Sequence, residues 1–441
     1  MEVIIKPIES IWKIMGNQNR ENHVKYRPIT YCKKIKTDNG WILYHTITRE
    51  IILLNSEEHQ TFLDGNSKQM IEHWFLVPDK VDDASLLYMF FRAYETRYPR
   101  RTYGKLNLCT IATTTDCNAR CPYCYEAGIE RKHMSQETAE DVAKFIIERA
   151  NPNITLNWFG GEPLYNAAVI DTICGKFQSK KFPFRSTMVS NGYLFKDIPI
   201  NKIKNLWNLK RVQITLDGME NTYNSIKAYT YKDDNPFFTV TDNIEKLLDA
   251  DIFVNIRLNL SEKNIDEMFS LVEWLDSRYP NKKNLGVYSR ILFDITGSQR
   301  EQLFGQFLNL QELIRKLGLV KPIRSVPGIK RCHCMADDGR SVVINPDGDL
   351  SLCEHFLDSE SYGSIYSNKA DRNVLNKFLE RQEMISECKT CFYLPQCIRL
   401  KMCVPEGKCD EENRKLIEWQ TEKMIIDVYK TRTEHNENNH L

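Results

Sequence analysis

Residues 117–124 read Cys117-Asn118-Ala119-Arg120-Cys121-Pro122-Tyr123-Cys124. Three cysteines stand at C-x3-C-x2-C, with an aromatic residue just before the last. The stretch falls between a predicted strand, Leu106–Thr115, and a helix predicted from Ser135. Cysteine thiolates are the ligands of iron–sulfur clusters. Three of them hold three irons of a 4Fe–4S cluster and leave the fourth open, as catalytic metal sites do. Two plainer readings stand beside this: three structural cysteines, or a zinc site whose only nearby fourth ligand is His133.

Downstream lie Gly160-Gly161-Glu162-Pro163, then Ser190-Asn191-Gly192, then Gln213-Ile214-Thr215-Leu216-Asp217-Gly218. The cysteine loop and these motifs, in this order, resemble the radical S-adenosylmethionine (radical SAM) enzymes. With the cysteine-rich C-terminal part, the resemblance covers roughly residues 105–412. It implies a catalytic 4Fe–4S cluster on Cys117, Cys121 and Cys124, whose open iron chelates S-adenosyl-L-methionine. It further implies Tyr123 against the adenine and Glu162 as acceptor for the methionyl ammonium, in a motif whose Gly160, Gly161 and Pro163 bring backbone close to the ligand. Ser190 and Asn191 match the place that touches ribose and carboxylate, and Asp217 a common element at the end of strand four. Arg257 resembles a fifth-strand arginine that pairs with the methionyl carboxylate. A structural carboxylate is the alternative partner for that arginine.

Composition agrees with an enzyme of ordinary cores: 42% of residues are hydrophobic, and Lys+Arg number 60 against Asp+Glu 59. No global charge favours nucleic acid. No apolar run is long enough to span a membrane, and no basic segment leads into an apolar core at the start. Fourteen cysteines without an export signal predict metal ligation in a reducing cytoplasm.

The order of elements predicts several domains. In residues 1–95, strands flank the turn signal Asp38-Asn39-Gly40, and helices are expected from Ser56, over Met70–Leu76 and over Ala84–Tyr94. The pattern resembles the winged-helix-like α+β element that binds the leader of a peptide precursor, by adding the leader as a strand to a sheet edge. A cap that only covers the barrel is the alternative. Over residues 96–325, six strands alternate with helices: Leu106–Thr115, Ile154–Phe159, Ser186–Ser190, Arg211–Leu216, Ile252–Leu258 and Leu285–Phe293. The alternation predicts a parallel α/β sheet, and the resemblance implies an open partial (β/α)6 barrel with its chemistry at the C-terminal strand ends. Residues 413–441 are expected as an amphipathic helix, Asn413–Tyr429, and a disordered polar tail.

Residues 326–412 hold eight of the fourteen cysteines. Their spacing resembles the SPASM domain, which carries two auxiliary 4Fe–4S clusters. Carried over by position, Cys332, Cys334, Cys353 and Cys403 would hold one, and Cys388, Cys391, Cys397 and Cys409 the other. Two departures stand out: five residues separate Cys397 from Cys403 where the family usually has three, and Cys332-x-Cys334 is tight for two ligands. The alternative is a zinc ribbon on Cys388, Cys391, Cys397 and Cys403. Barrel and SPASM domain together imply a peptide substrate, an electron donor such as flavodoxin or ferredoxin, and a reaction that closes a thioether or carbon–carbon crosslink in a leader-bearing precursor. A sulfatase-maturing enzyme is the runner-up. That family places an Asp base after a SPASM cysteine, where this chain has Glu354 and then His355, both candidate bases. A non-catalytic iron–sulfur carrier is a third reading, with no use for the S-adenosylmethionine motifs.

Overall fold

The computed structural model describes residues 1–19, 21, 23–98, 104–231, 235–356, 359–403 and 409–438. The first module comprises β1 (Glu2–Ile5), α1 (Glu9–Met15), β2 (Tyr26–Pro28), β3 (Cys32–Thr37), β4 (Gly40–His45), β5 (Ile51–Leu54), α2 (Ser56–Leu63), α3 (Lys68–Glu72), β6 (Leu76–Pro78) and α4 (Asp83–Arg97). Asp38-Asn39-Gly40 joins β3 to β4, which pair antiparallel. At Gly40, with φ +131°, any Cβ would collide with the Leu54 carbonyl. The sheet order is β1-β5-β4-β3, so β3 is an edge strand. The helix expected over Met70–Leu76 is shorter: α3 ends at Glu72, and Leu76–Pro78 pairs with Tyr26–Pro28 as a strand. The short elements β1, α1 and β2 were not expected.

The second module alternates as predicted: β7 (Leu106–Thr114), α5 (Gln136–Arg149), β8 (Ala150–Gly160), α6 (Ala167–Ser179), β9 (Phe184–Ser190), β10 (Leu209–Leu216), α7 (Glu220–Lys227), α8 (Pro236–Asp249), β11 (Phe253–Leu260), α9 (Ile265–Arg278), β12 (Leu285–Ile291) and α10 (Gly297–Lys316). β7 to β12 lie side by side in chain order, all parallel. Side chains alternate between the two faces of a strand. Val212, Ile214 and Leu216 of β10 and Val254, Ile256 and Leu258 of β11 join the core shared with the helices. The intervening residues form a polar lining: Asn157 Nδ2 donates to Thr110 Oγ1 (3.3 Å), Thr187 Oγ1 to Asn157 Oδ1 (2.8 Å), and Tyr288 Oη to Gln213 Oε1 (2.7 Å).

β13 (Ser341–Ile344) pairs parallel with β7, and β14 (Asp349–Ser351) and β15 (Ser361–Ser364) follow antiparallel, extending one sheet to nine strands. The cysteine-rich part is thus grafted onto the first barrel strand. After α11 (Arg372–Lys377), the final helix α12 (Glu411–Asn438) is longer than expected. Residues 431–438, read from sequence as disordered, continue it, because each further residue of an existing helix adds a hydrogen bond; residues 439–441 of that tail lie outside the described residues.

α12 packs on the first module. Met424, Ile425 and Val428 meet Ile42, Tyr44 and Ile51 in one buried cluster, and Lys33 pairs with Glu418 and Glu422. Ile425 is fully buried. Ile425→Ala is expected to cost about 2–5 kcal/mol, read as a lower urea midpoint and as faster hydrogen exchange in β4; an unchanged midpoint and exchange would show that α12 does not brace this sheet in solution.

Candidate active site

The cysteine loop leaves the end of β7 and is held by its neighbours' strand ends. Gly161 N donates to Thr114 O (3.1 Å) and Glu162 N to Asp116 O (2.9 Å). A Cβ at Gly160 would strike the Thr114 carbonyl, and one at Gly161 the Asp116 carbonyl. The approach of β8's end to the chain itself therefore requires the two glycines. Pro163 is buried and starts the turn that follows.

Glu162 is fully buried. Its Oε1 accepts from Leu164 N (3.1 Å) and Ser190 Oγ (2.9 Å), and its Oε2 from Asn191 N (2.7 Å). Burial raises its carboxyl to about 7, against these hydrogen bonds. Asn191 carries the connection back to the loop: its Nδ2 donates to Asn118 Oδ1 (2.7 Å) and lies 3.7 Å from Cys117 Sγ. Ser190 and Asn191 are thus brought beside the cysteines as expected.

Tyr123 stands in a buried polar group. Its Oη donates to Asp217 Oδ2 (2.6 Å), and Lys227 Nζ contacts the same carboxylate oxygen (2.8 Å), Tyr123 Oη (3.0 Å) and Thr215 Oγ1 (2.8 Å). Burial disfavours the Lys227 charge, but Asp217 and Tyr123 outweigh it and hold the amine above its ordinary value. Arg120 N donates to the Lys227 carbonyl (2.8 Å) and Thr230 N to the Asn118 carbonyl (2.9 Å), so the segment after α7 clasps the loop. Lys227 was not found by sequence reasoning. A lysine ending an amphipathic helix carries no local sign that its amine turns inward.

The donor set fits a cluster. Ala119 N donates to Cys117 Sγ (3.4 Å) and Ala336 N to Cys334 Sγ (3.4 Å), the N–H···S bonds that tune cluster thiolates. Asn118 Nδ2 and Asp217 Oδ1 are buried beside the loop without a partner. Burial pushes the Cys117 thiol up to about 12, as it does Cys353, and Cys334 to about 11; a coordinated metal deprotonates such thiols outright. His133, the zinc alternative's fourth ligand, is engaged elsewhere: its Nδ1 lies 3.0 Å from Thr114 Oγ1. Among the described residues, no three of His, Cys, Asp and Glu could hold a single metal ion.

The C-terminal cysteines line two cavities, and Cys397 borders both. Cys334, Cys353 and Cys403 line a cavity of about 670 Å³. Cys388, Cys391, Cys397 and Cys409 line a second, of about 380 Å³. Cys403 falls in the first set and Cys409 in the second, against the zinc-ribbon grouping. Cys332, expected in the first set, does not line that cavity. His333 takes a place there, with Nε2 3.6 Å from Cys403 Sγ.

Arg257, Glu354 and His355 line the larger cavity too. Arg257 Nε donates to Asn259 Oδ1 (2.8 Å). The His355 ring lies 4.2 Å from Tyr125, the residue after Cys124, and 5.5 Å from Phe293 of the barrel. Burial and then Arg257 lower the His355 imidazole, and burial raises the Glu354 carboxyl. The cavity therefore runs between the C-terminal strand ends of the barrel and the first auxiliary set, with His355 at the junction.

A three-cysteine loop thus stands at the end of a parallel β/α sheet, clasped by a glycine turn and a buried carboxylate. Residues 111–275 match the sequence model of the Radical SAM superfamily and form a radical SAM domain, the domain of enzymes that use S-adenosylmethionine. It is 25% identical over 340 residues to a GTP 3',8-cyclase of Clostridium perfringens (strain SM101 / Type A), covering 72% of this chain and 98% of that one. It is 28% identical over 167 residues to the sporulation killing factor maturation protein SkfB of Bacillus subtilis (strain 168), 37% of this chain and 38% of that one. Two solved structures share the fold: native anSMEcpe with bound AdoMet (TM-score 0.54, 16% identity, 75% of this chain and 100% of that one), and Streptococcus suis SuiB bound to precursor peptide SuiA (TM-score 0.52, 12% identity, 88% and 98%). No helix among the described residues is long and apolar enough to cross a membrane.

Lys227 is 2% exposed and Asp217 fully buried. Lys227→Met strands a buried carboxylate and is expected to destabilise the chain by about 3–5 kcal/mol. Adding Asp217→Asn should restore part of that loss in a urea titration; equal losses in the single and double variants would mean the pair is not coupled.

Proposed function

We propose that this chain matures a ribosomally made peptide, abstracting hydrogen from a precursor residue to close a thioether or carbon–carbon crosslink. The observation that carries the reading is the single cavity joining the barrel's strand ends to the first auxiliary set, with His355 against Tyr125. A cavity open to both lets a residue of an extended chain lie beside the reacting centre. The comparisons support a peptide substrate: relatives include SkfB and the radical SAM cyclopropyl synthase TigE, and SuiB has been solved with its precursor.

Cys117, Cys121 and Cys124 would hold the catalytic cluster. Cys334, Cys353 and Cys403 would hold one auxiliary cluster, and Cys388, Cys391, Cys397 and Cys409 the other. Loaded and reduced, the loop cluster with S-adenosylmethionine supplies a 5′-deoxyadenosyl radical. The chain's own residues orient and shield. Glu162, Ser190 and Asn191 fix the strand ends that would meet the methionyl group and ribose; Arg257 offers positive charge for its carboxylate, and Lys227, paired with Asp217, holds Tyr123. Tyr123, held by Asp217, would close the adenine side. His355, with Glu354 beside it, stands where a base could take a substrate proton. β3 would receive the leader as an added strand, since it is the sheet edge and presents Lys34 and Lys36 outward. A flavodoxin or ferredoxin would deliver the electron.

Anaerobic reconstitution should load about twelve irons per chain for three clusters and give 5′-deoxyadenosine on reduction. Cys117→Ala should lose about four irons and all deoxyadenosine, while Cys391→Ser should lose about four irons and keep it. Wild-type iron near four would sink the two auxiliary clusters, and no deoxyadenosine with or without peptide would sink the radical chemistry. His355→Ala should lower crosslinking about 100-fold or more if the imidazole is the base; full activity would remove it from that role.

A further inference from the structure

The chain as a whole is balanced, with 60 basic residues against 59 acidic. The cavity at the barrel mouth is not. Arg257, Arg290, Arg300, Lys330 and Arg399 line it, against one carboxylate, Glu354. The five come from β11, β12, the first turn of α10, the linker before the cysteines, and the loop after Cys397. They are therefore gathered by the tertiary fold and do not form one basic stretch of sequence. Two of them, beside the Arg257 given above to the methionyl carboxylate, make no ion pair among the described residues: Arg300 and Lys330. Arg300 is half-buried, and its Nε is buried without a hydrogen-bond partner. A guanidinium nitrogen left without a partner is costly unless something anionic meets it.

The charge continues beyond that cavity. A second groove, of about 220 Å³, shares Lys330, Cys397 and Ile398 with it and adds Arg331 and Arg381, against Glu95. Its other wall is Phe91 and Tyr94 of α4. A basic track thus leads from the first module to the barrel mouth. A compact anion would need one focus of charge; a track of this length suits carboxylates spaced along a chain.

We propose that this track is the binding site for an acidic segment of the substrate peptide, so that Asp or Glu residues flank the residue to be modified. The inference rests on the peptide reading above and narrows its substrate class. The cations would serve register as well as affinity. Carboxylates seated at Arg300 and Lys330 fix how far the chain reaches toward Arg257 and the strand ends, and an Arg fork holds a carboxylate in one geometry.

The test uses the reconstituted full chain under anaerobic conditions and needs no turnover. A fluorescein-labelled, capped peptide of alternating Glu and Gly is titrated by anisotropy, beside its Gln and Lys counterparts. The Glu peptide should bind about tenfold or more tighter than the Gln peptide, and the margin should shrink between about 50 mM and about 200 mM salt. In an Arg300→Gln/Lys330→Gln variant the margin should fall below about threefold, with iron per chain and cluster absorbance at the wild-type level. Equal binding of Glu and Gln peptides by the wild-type protein overturns the proposal, whatever the variant does. So does a variant that keeps the full margin. Loss of auxiliary iron in the variant would assign the cations to balancing a cluster's charge, and GTP binding more tightly than the Glu peptide would assign them to a nucleotide; either overturns it. Absence of deoxyadenosine in the separate turnover assay would instead strike the radical reading, and leaves the binding result standing on its own.

Discussion

The catalytic end of this molecule depends on one buried carboxylate. Glu162 has no water to solvate it, so its lone pairs must be met from within. They are met by the turn that follows it and by the end of the next strand. That fixes β8 and β9 at a common level, and Asn191 transmits the level to the cysteine loop. Gly160 and Gly161 permit the approach of β7 that makes the knot compact. Removing a partner of Glu162 would leave polar groups unpaired in a dry site. The clasp by Lys227, Asp217 and Tyr123 works from the other side of the loop in the same way, by pairing charges that cannot be left alone.

Much of this was legible beforehand, and the reason is periodicity. The barrel strands alternate between a helix-facing apolar row and an inward polar row, and the helices between them are amphipathic. Those signals are local, so each of β7 to β12 overlaps a segment read as a strand from the sequence. What escaped had no local signal. β1, α1 and β2 are too short to show a period, and α12 outruns its apolar stripe. Lys227 and His333 matter because of what the fold brings to them from distant segments. The spacing of the cysteines counts residues and not the direction a side chain takes, so which cavity each one lines was not legible in it.

The relatives make a similar division. They include a nucleotide cyclase and a peptide maturation protein, so the shared barrel specifies a kind of chemistry and not a substrate. Substrate choice is left to whatever closes the barrel mouth. Here that is a cysteine-rich graft on β7 and a separate sheet module reached by a basic groove. The graft is continuous with the barrel sheet through β13, so Cys353, just after β14, and the three-cysteine loop after β7 belong to one sheet. Cys397 borders both C-terminal cavities, which puts the two auxiliary sets on either side of a single loop.

The packing of α12 against β4 and β5 has a consequence for how the protein is made. Ile42, Tyr44 and Ile51 leave the ribosome early, yet their covering helix is synthesised only after the barrel and the cysteine-rich part. Domains generally fold as they emerge, but this one stays unfinished while every cluster ligand is translated. The first module is thus a latch that shuts last. A nascent chain stalled before α12 presents an uncovered apolar sheet face, which is what chaperones grip.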